Sequence, residues 1–144
     1  MLEDIYNYLP ISETLATAGQ PTEAQFAEIR RAGFKVVVNL ALPTADNALP
    51  DERAVVEAQG MAYVPIPVVW ESPTVEDWRQ FQTVLVENAE SKMFVHCAAN
   101  MRVSVFVYLH RRLTGISQTE AEPLLHQIWT PNETWQAFMQ QVLG

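Results

Sequence analysis

Three short apolar runs, each set between amphipathic stretches, constrain what this chain can fold into more than any other feature. Lys35-Val-Val-Val-Asn-Leu40 is continuous and β-branched, the pattern of a strand buried on both faces. Met61 to Ile66, cut off by Pro65 and Pro67, and Lys92-Met-Phe-Val-His96 read as two more. The intervals carry helix signals. Thr22 with Gln25 makes a capping-box pattern ahead of Phe26, Ile29 and Ala32, and Gly33 is a stop. A helix is expected from about Asp51 to Gln59, before Gly60. Thr74 and Asp77 open another that turns Val75, Trp78, Phe81, Leu85 and Ala89 inward, and a further helix runs from about Arg102 to Leu113. Ser117 with Glu120, and Thr130-Pro131 with Glu133, start two terminal helices. Thr14 to Thr17 reads as a short edge strand. Strands that alternate with helices require crossover connections. The expected fold is therefore α/β, a mostly parallel central sheet of four to five strands with helices on both faces.

Composition narrows the function classes. A chain of 144 residues, 49% of them hydrophobic, makes one domain spanning 1–144. Nine Lys plus Arg against 17 Asp plus Glu leave a net charge of −8, which repels nucleic acid and anionic lipid alike. No apolar run approaches the ~20 residues of a membrane span. The start, MLEDIYNYLP, has no basic or apolar signal region, so a soluble cytoplasmic protein is expected. The single cysteine, Cys97, excludes an internal disulfide framework and a cysteine-clustered metal site.

That cysteine stands where an α/β sheet places its ligand, beyond the carboxyl end of a buried strand. The segment Val95-His-Cys-Ala-Ala-Asn-Met-Arg-Val-Ser104 runs from the strand straight into a helix. Backbone amides in such a turn point inward, and the helix adds the positive end of its dipole. A thiolate at Cys97 is favoured by that field. Ala98, Ala99, Asn100, Met101, Val103 and Ser104 supply the amide-lined cradle, and Arg102 can offer a bidentate fork to an oxyanion held within it. A soft nucleophile under an anion cradle suits attack on phosphorus or sulfur.

His96-Cys97, the loop, Arg102 and Ser104 resemble the signature of the cysteine-based protein tyrosine and dual-specificity phosphatases. The similarity extends to Asn39-Leu40 at a strand end, Val64-Pro-Ile-Pro67, Pro73-Thr74 at a helix start, and Ala18-Gly19-Gln20-Pro21, as in the short bacterial phosphatase-like group. It covers roughly residues 12 to 115. The resemblance implies a phosphatase-like fold and a hydrolase acting on a phosphorylated protein or small molecule. It implies a phosphocysteine intermediate on Cys97 and an oxyanion clamp at Arg102, with neither metal nor cofactor. Ser104 would ease departure of the thiolate.

The match has two departures. Four residues separate Cys97 from Arg102 where the family has five, so Val103 holds the ungapped arginine position and Asn100 the glycine's place, where its tolerance of left-handed backbone helps. The family's aspartate acid falls on Val69, which leaves Glu71 as the candidate proton donor. The short spacing keeps open a rhodanese-type sulfurtransferase that carries a Cys97 persulfide. The displaced arginine and missing aspartate keep open a catalytically weak phosphate binder. Around this centre, His96 is expected to turn away from the pocket and bond backbone, and Asn39 to tie the neighbouring loop. Asp77 reads as a helix-start residue and Trp70 as either a pocket border or core. Trp129, Trp135 and Phe138 read as packing of the terminal helices, and Arg111 and Arg112 as an exposed helix end.

Overall fold

The computed structural model describes residues 1–144. Its elements in chain order are β1 (Leu9–Pro10), β2 (Leu15–Ala18), α1 (Glu23–Arg31), β3 (Val36–Asn39), α2 (Glu52–Ala58) and β4 (Ala62–Pro65). They continue with α3 (Val75–Glu87), β5 (Met93–His96), α4 (Met101–Leu113), α5 (Gln118–Ile128) and α6 (Glu133–Leu143). The sheet has the order β1-β2-β5-β3-β4. β5 pairs in parallel with β2 and β3, β3 with β4, and only β1 is antiparallel. The chain is thus a single α/β unit of the expected class. No helix is long and apolar enough to cross a membrane.

Period-two alternation along the buried strands builds two cores. Val36, Val38, Met93 and Val95 face α3 to α6, where Trp78, Phe81, Phe106, Leu125, Trp135 and Phe138 complete the larger cluster. Val37 and Phe94 face the other way, onto Phe26 and Ile29 of α1 and Val56 of α2. The same alternation, continued past the end of β5, puts His96 and Cys97 on opposite sides of the sheet. In register, His96 lies beside Ala18 of β2 and Asn39 of β3. The cysteine loop therefore leaves the middle of the sheet, flanked by the ends of both neighbours.

The capping signals act as the sequence implies for most helices. Thr22 and Gln25, and Thr74 and Asp77, form reciprocal capping boxes, and Ser117 accepts from the Glu120 amide. Several local expectations need correction. The strand at 14–17 is not the edge: β2 is covered by β1, whose two residues carry no periodicity and whose Pro10 suits an outermost strand. The cap of α6 is Asn132 and not Thr130, because the Asn132 side chain reaches the Trp135 amide at 3.0 Å. Ala89 is exposed beyond the end of α3. Arg111 and Arg112 are half-buried: one reaches the Ala121 carbonyl and the other the Tyr108 hydroxyl, so this helix end docks on α5 and on its own preceding turn.

The crossing of the β2 end over the cysteine loop is tight. The Gly19 amide donates to the Tyr6 carbonyl at 2.7 Å and the Gln20 amide to the Ala98 carbonyl at 3.1 Å. A β-carbon on Gly19 would stand 2.7 Å from Tyr6 Cδ2 and 2.9 Å from the Ala98 carbonyl oxygen. Tyr6 can swing aside, but the backbone oxygen cannot. Gly19→Ala is expected to destabilise the fold by about 1–3 kcal/mol, read as a lowered urea midpoint at unchanged slope.

Candidate active site

The loop from β5 into α4 is shaped by where its carbonyls go. The Ala98 oxygen accepts from the Gln20 amide at 3.1 Å and from Asn47 Nδ2 at 3.1 Å, and the Ala99 oxygen accepts from Asn7 Nδ2 at 3.0 Å. With these carbonyls tied outward, the amides of residues 98 to 103 find no acceptor in the chain. The other five α-helices each have an N-cap side chain that accepts from an amide of the first turn. α4 does not: its N-cap is Asn100, which makes no such bond. Unpaired backbone donors at a helix start form a ready anion cradle.

Asn100 bends the chain. It adopts φ 66 and ψ 2, in the left-handed region, and Asn7 at φ 50 is the only other residue besides glycine with positive φ. The two asparagines clasp each other's segments. Asn100 Nδ2 donates to the Asn7 carbonyl at 2.9 Å and to Thr17 Oγ1 at 3.1 Å, while Asn7 holds the Ala99 oxygen. The Asn100 Oδ1 atom is buried without a partner.

Arg102 and Val103 are the second and third residues of α4. Val103 is fully buried in the larger core, so the ungapped arginine position of the resemblance faces inward. Arg102, one step round the helix, lays its guanidinium 5.4 Å from the centre of the Trp70 ring, and its Nε is buried with no partner. Trp70 in turn packs on Trp129 at 5.2 Å and Trp135 at 5.5 Å, and its carbonyl accepts from Trp135 Nε1. Of the two readings of Trp70, the structure combines both: it borders the arginine and belongs to the core. Trp135 and Phe138 are buried packing residues.

The remaining candidate residues spread around this centre. Cys97 is fully buried and joins the apolar cluster on the α3 to α6 side. The Ser104 hydroxyl donates to the Met101 carbonyl at 2.6 Å and accepts from Trp129 Nε1 at 3.0 Å; both bonds brace the first turn of α4. Glu71 is exposed in a turn closed by the Ser72 amide on the Val69 carbonyl, beside Trp70. Asn39 accepts from the Ala41 amide and donates to the Tyr63 hydroxyl, each at 2.9 Å.

His96 bonds backbone, and it also has a charged partner. Its Nδ1 lies 3.2 Å from the Cys97 carbonyl and its Nε2 2.6 Å from Glu52 Oε2, in a pair whose side chains are 0% and 5% exposed. Gln20 Nε2 donates to the other Glu52 oxygen at 2.7 Å. Burial alone would push the Glu52 carboxyl up, but the hydrogen bond and charge of His96, helped by Gln20 and Tyr63, outweigh it and hold the group below its ordinary 4.5. Burial chiefly pushes the Tyr63 phenol up to about 12, with the Glu52 carboxylate adding to the effect against the Asn39 bond. Sequence reasoning missed Glu52, Asn7 and Asn47. Glu52 lies 44 residues from His96, and no motif marks any of the three.

Comparison with known proteins agrees with this geometry. The chain is 34% identical over 108 residues to a beta-lactamase hydrolase-like protein of Agrobacterium fabrum, covering 73% of this chain and 25% of that one. It spans about a quarter of the length of the curated relatives it matches. Among solved structures, a DUF442 protein of Shewanella putrefaciens superposes with a TM-score of 0.87 at 32% identity, covering 98% of this chain and 91% of that one. Pseudomonas aeruginosa TpbA, solved as a Cys-to-Ser variant with phosphotyrosine, shares the fold with a TM-score of 0.73 at 18% identity, covering 93% and 83%. A family model described as the DSP-PTPase phosphatase fused to NAD+ kinase matches residues 9–140. The fold, the cysteine loop and this match over nearly the whole length agree, and the chain belongs to that dual-specificity phosphatase family.

Proposed function

We propose that this chain hydrolyses phosphomonoesters through a phosphocysteine on Cys97, protein phosphotyrosine being one candidate substrate. The observation that carries the reading is the row of amides from residue 98 to 103 with no acceptor in the chain, next to a buried Arg102 Nε that also lacks one. A phosphoryl group fits both needs. Its equatorial oxygens accept from the amides and from the guanidinium, and the charge that develops on them in the transition state meets donors already in place. The thiolate of Cys97 attacks phosphorus, the S–P bond forms, and the P–O bond to the leaving group breaks. Glu71 gives that oxygen its proton and then takes one from the water that attacks the phosphocysteine, releasing inorganic phosphate and the thiolate.

Family membership favours phosphoryl over sulfur transfer, which rests only on the four-residue spacing. One observation favours a second reading, an oxyanion-binding domain with little turnover: Cys97 is fully buried and Glu71 stands exposed in its turn. The same assays separate the two. Cys97→Ser is expected to abolish turnover of p-nitrophenyl phosphate and the acid-trapped phosphoenzyme; full activity in that variant refutes the mechanism. Vanadate binding by a wild-type chain without turnover establishes the second reading.

Glu71→Gln tests the proton donor. It is expected to slow hydrolysis of an alkyl phosphate by about 100-fold or more, with a much smaller effect on an activated aryl phosphate, whose leaving group needs no proton. Equal effects on the two substrates exclude Glu71 as the acid.

A further inference from the structure

Beneath the cysteine loop, on the α1 and α2 side of the sheet, lies a buried polar cluster that the phosphoryl-transfer steps do not use. At its centre His96 is fully buried, with the edge of its ring against Phe26. Its two ring nitrogens face the Cys97 carbonyl at 3.2 Å and Glu52 Oε2 at 2.6 Å. A carbonyl only accepts, so Nδ1 carries a hydrogen. The 2.6 Å separation of Nε2 from Glu52 Oε2 places one hydrogen between them. The ring is therefore fixed in orientation by a partner at each nitrogen.

The groups around the pair come from three segments. From the segment after β2, Gln20 donates to Glu52. From β4, Tyr63 is a neutral phenol whose hydroxyl accepts from Asn39 Nδ2 at 2.9 Å. From α2, Arg53 turns outward, over the Tyr63 ring at 5.2 Å and toward Glu57 at 3.4 Å, and leaves the Glu52 charge to His96. The remaining ionisable neighbour is the thiol itself, on the next residue of the chain.

We propose that Glu52 is a positioning residue for Cys97 that acts through His96. Its carboxylate fixes the ring as a cation one residue from the sulfur and keeps the Cys97 carbonyl turned toward the ring and away from the phosphate cup. A cation at that distance favours thiolate over thiol. A carbonyl held on the far side cannot present its negative end to the oxyanion. This rests on the phosphocysteine reading for its catalytic meaning, but the pairing itself is testable without turnover.

The chain has one cysteine, so the ultraviolet absorbance of its thiolate reports Cys97 alone. Glu52→Gln keeps side-chain length and an acceptor for Nε2 but removes the charge. The thiolate titration is expected to move by about one pH unit to the alkaline side, roughly tenfold less thiolate on the acid limb. kcat/KM for p-nitrophenyl phosphate should fall by the same factor there and recover at alkaline pH. His96→Asn should produce a similar displacement, and adding Glu52→Gln to it should move the titration no further, because the effect passes through the ring. His96→Asn also serves if the Glu52 variant fails to fold.

A Glu52→Gln chain with a lower melting temperature but a thiolate titration superimposable on the wild type overturns the proposal and leaves the role of Cys97 untouched. So does a further displacement of the titration when Glu52→Gln is added to His96→Asn. A displaced titration in a chain whose Cys97→Ser variant still hydrolyses phosphate esters leaves the Glu52 pairing standing and removes the phosphocysteine mechanism.

Discussion

The left-handed bend at Asn100 is the constraint on which the rest of the site depends. It lets β5 run into α4 in so few residues that the amides of 98 to 103 are left with no acceptor in the chain. A residue other than glycine pays a steric cost in that region, smallest for asparagine. Asn100 offsets it by using its amide twice, on the Asn7 carbonyl and on Thr17, so the side chain that replaces glycine also secures the turn. The unmet donors and the buried orphan atoms of Asn100 and Arg102 sit together at one junction. Such concentration of unmet polar groups in an otherwise well-paired chain is the usual mark of a site organised for a ligand.

The bend is braced from both faces of the sheet by different chemistry. On the α1 and α2 side the support is polar: Gln20, Glu52 and His96 form a buried hydrogen-bonded cluster, and the half-buried pair Asn39 and Tyr63 tie β3 to β4. A buried polar cluster of this kind specifies geometry more than it adds stability. On the other side the support is aromatic. Trp70, Trp129 and Trp135 bring the loop before α3 and the last two helices against Arg102 and Ser104. The terminal helices thereby reach the site through Trp129 as well as filling the core.

The short spacing between Cys97 and Arg102 has a simple structural meaning. Val103 occupies the inward position on the first turn of α4, where it is fully buried, and Arg102 lies one step round the helix, about 100° away. From there the guanidinium is carried on an indole face, which suits its planar, weakly hydrated cation. The change of one position exchanges one mode of support for another.

Local pattern in the chain was enough to determine the α/β class, the buried strands β3 and β5, four of the helix starts and the placement of Cys97 beyond a central strand. Each of these follows from periodicity, caps and β-branched runs, which act over a few residues. Two-residue β1 lay below that range, and Asn132 displaced Thr130 as a cap because cap geometry, not residue type alone, selects the donor reached. β4, read from its apolar run as a third buried strand, is instead the outer edge of the sheet with no buried residue, because strand order leaves it only one neighbour. Only the tertiary structure decided who surrounds the cysteine loop. Asn7, Asn47 and Glu52 come from segments 92, 51 and 44 residues away from the groups they hold, and their meeting depends on strand order and register. Hydrophobic pattern records which face of an element is buried. It carries no record of which distant polar group will share that burial.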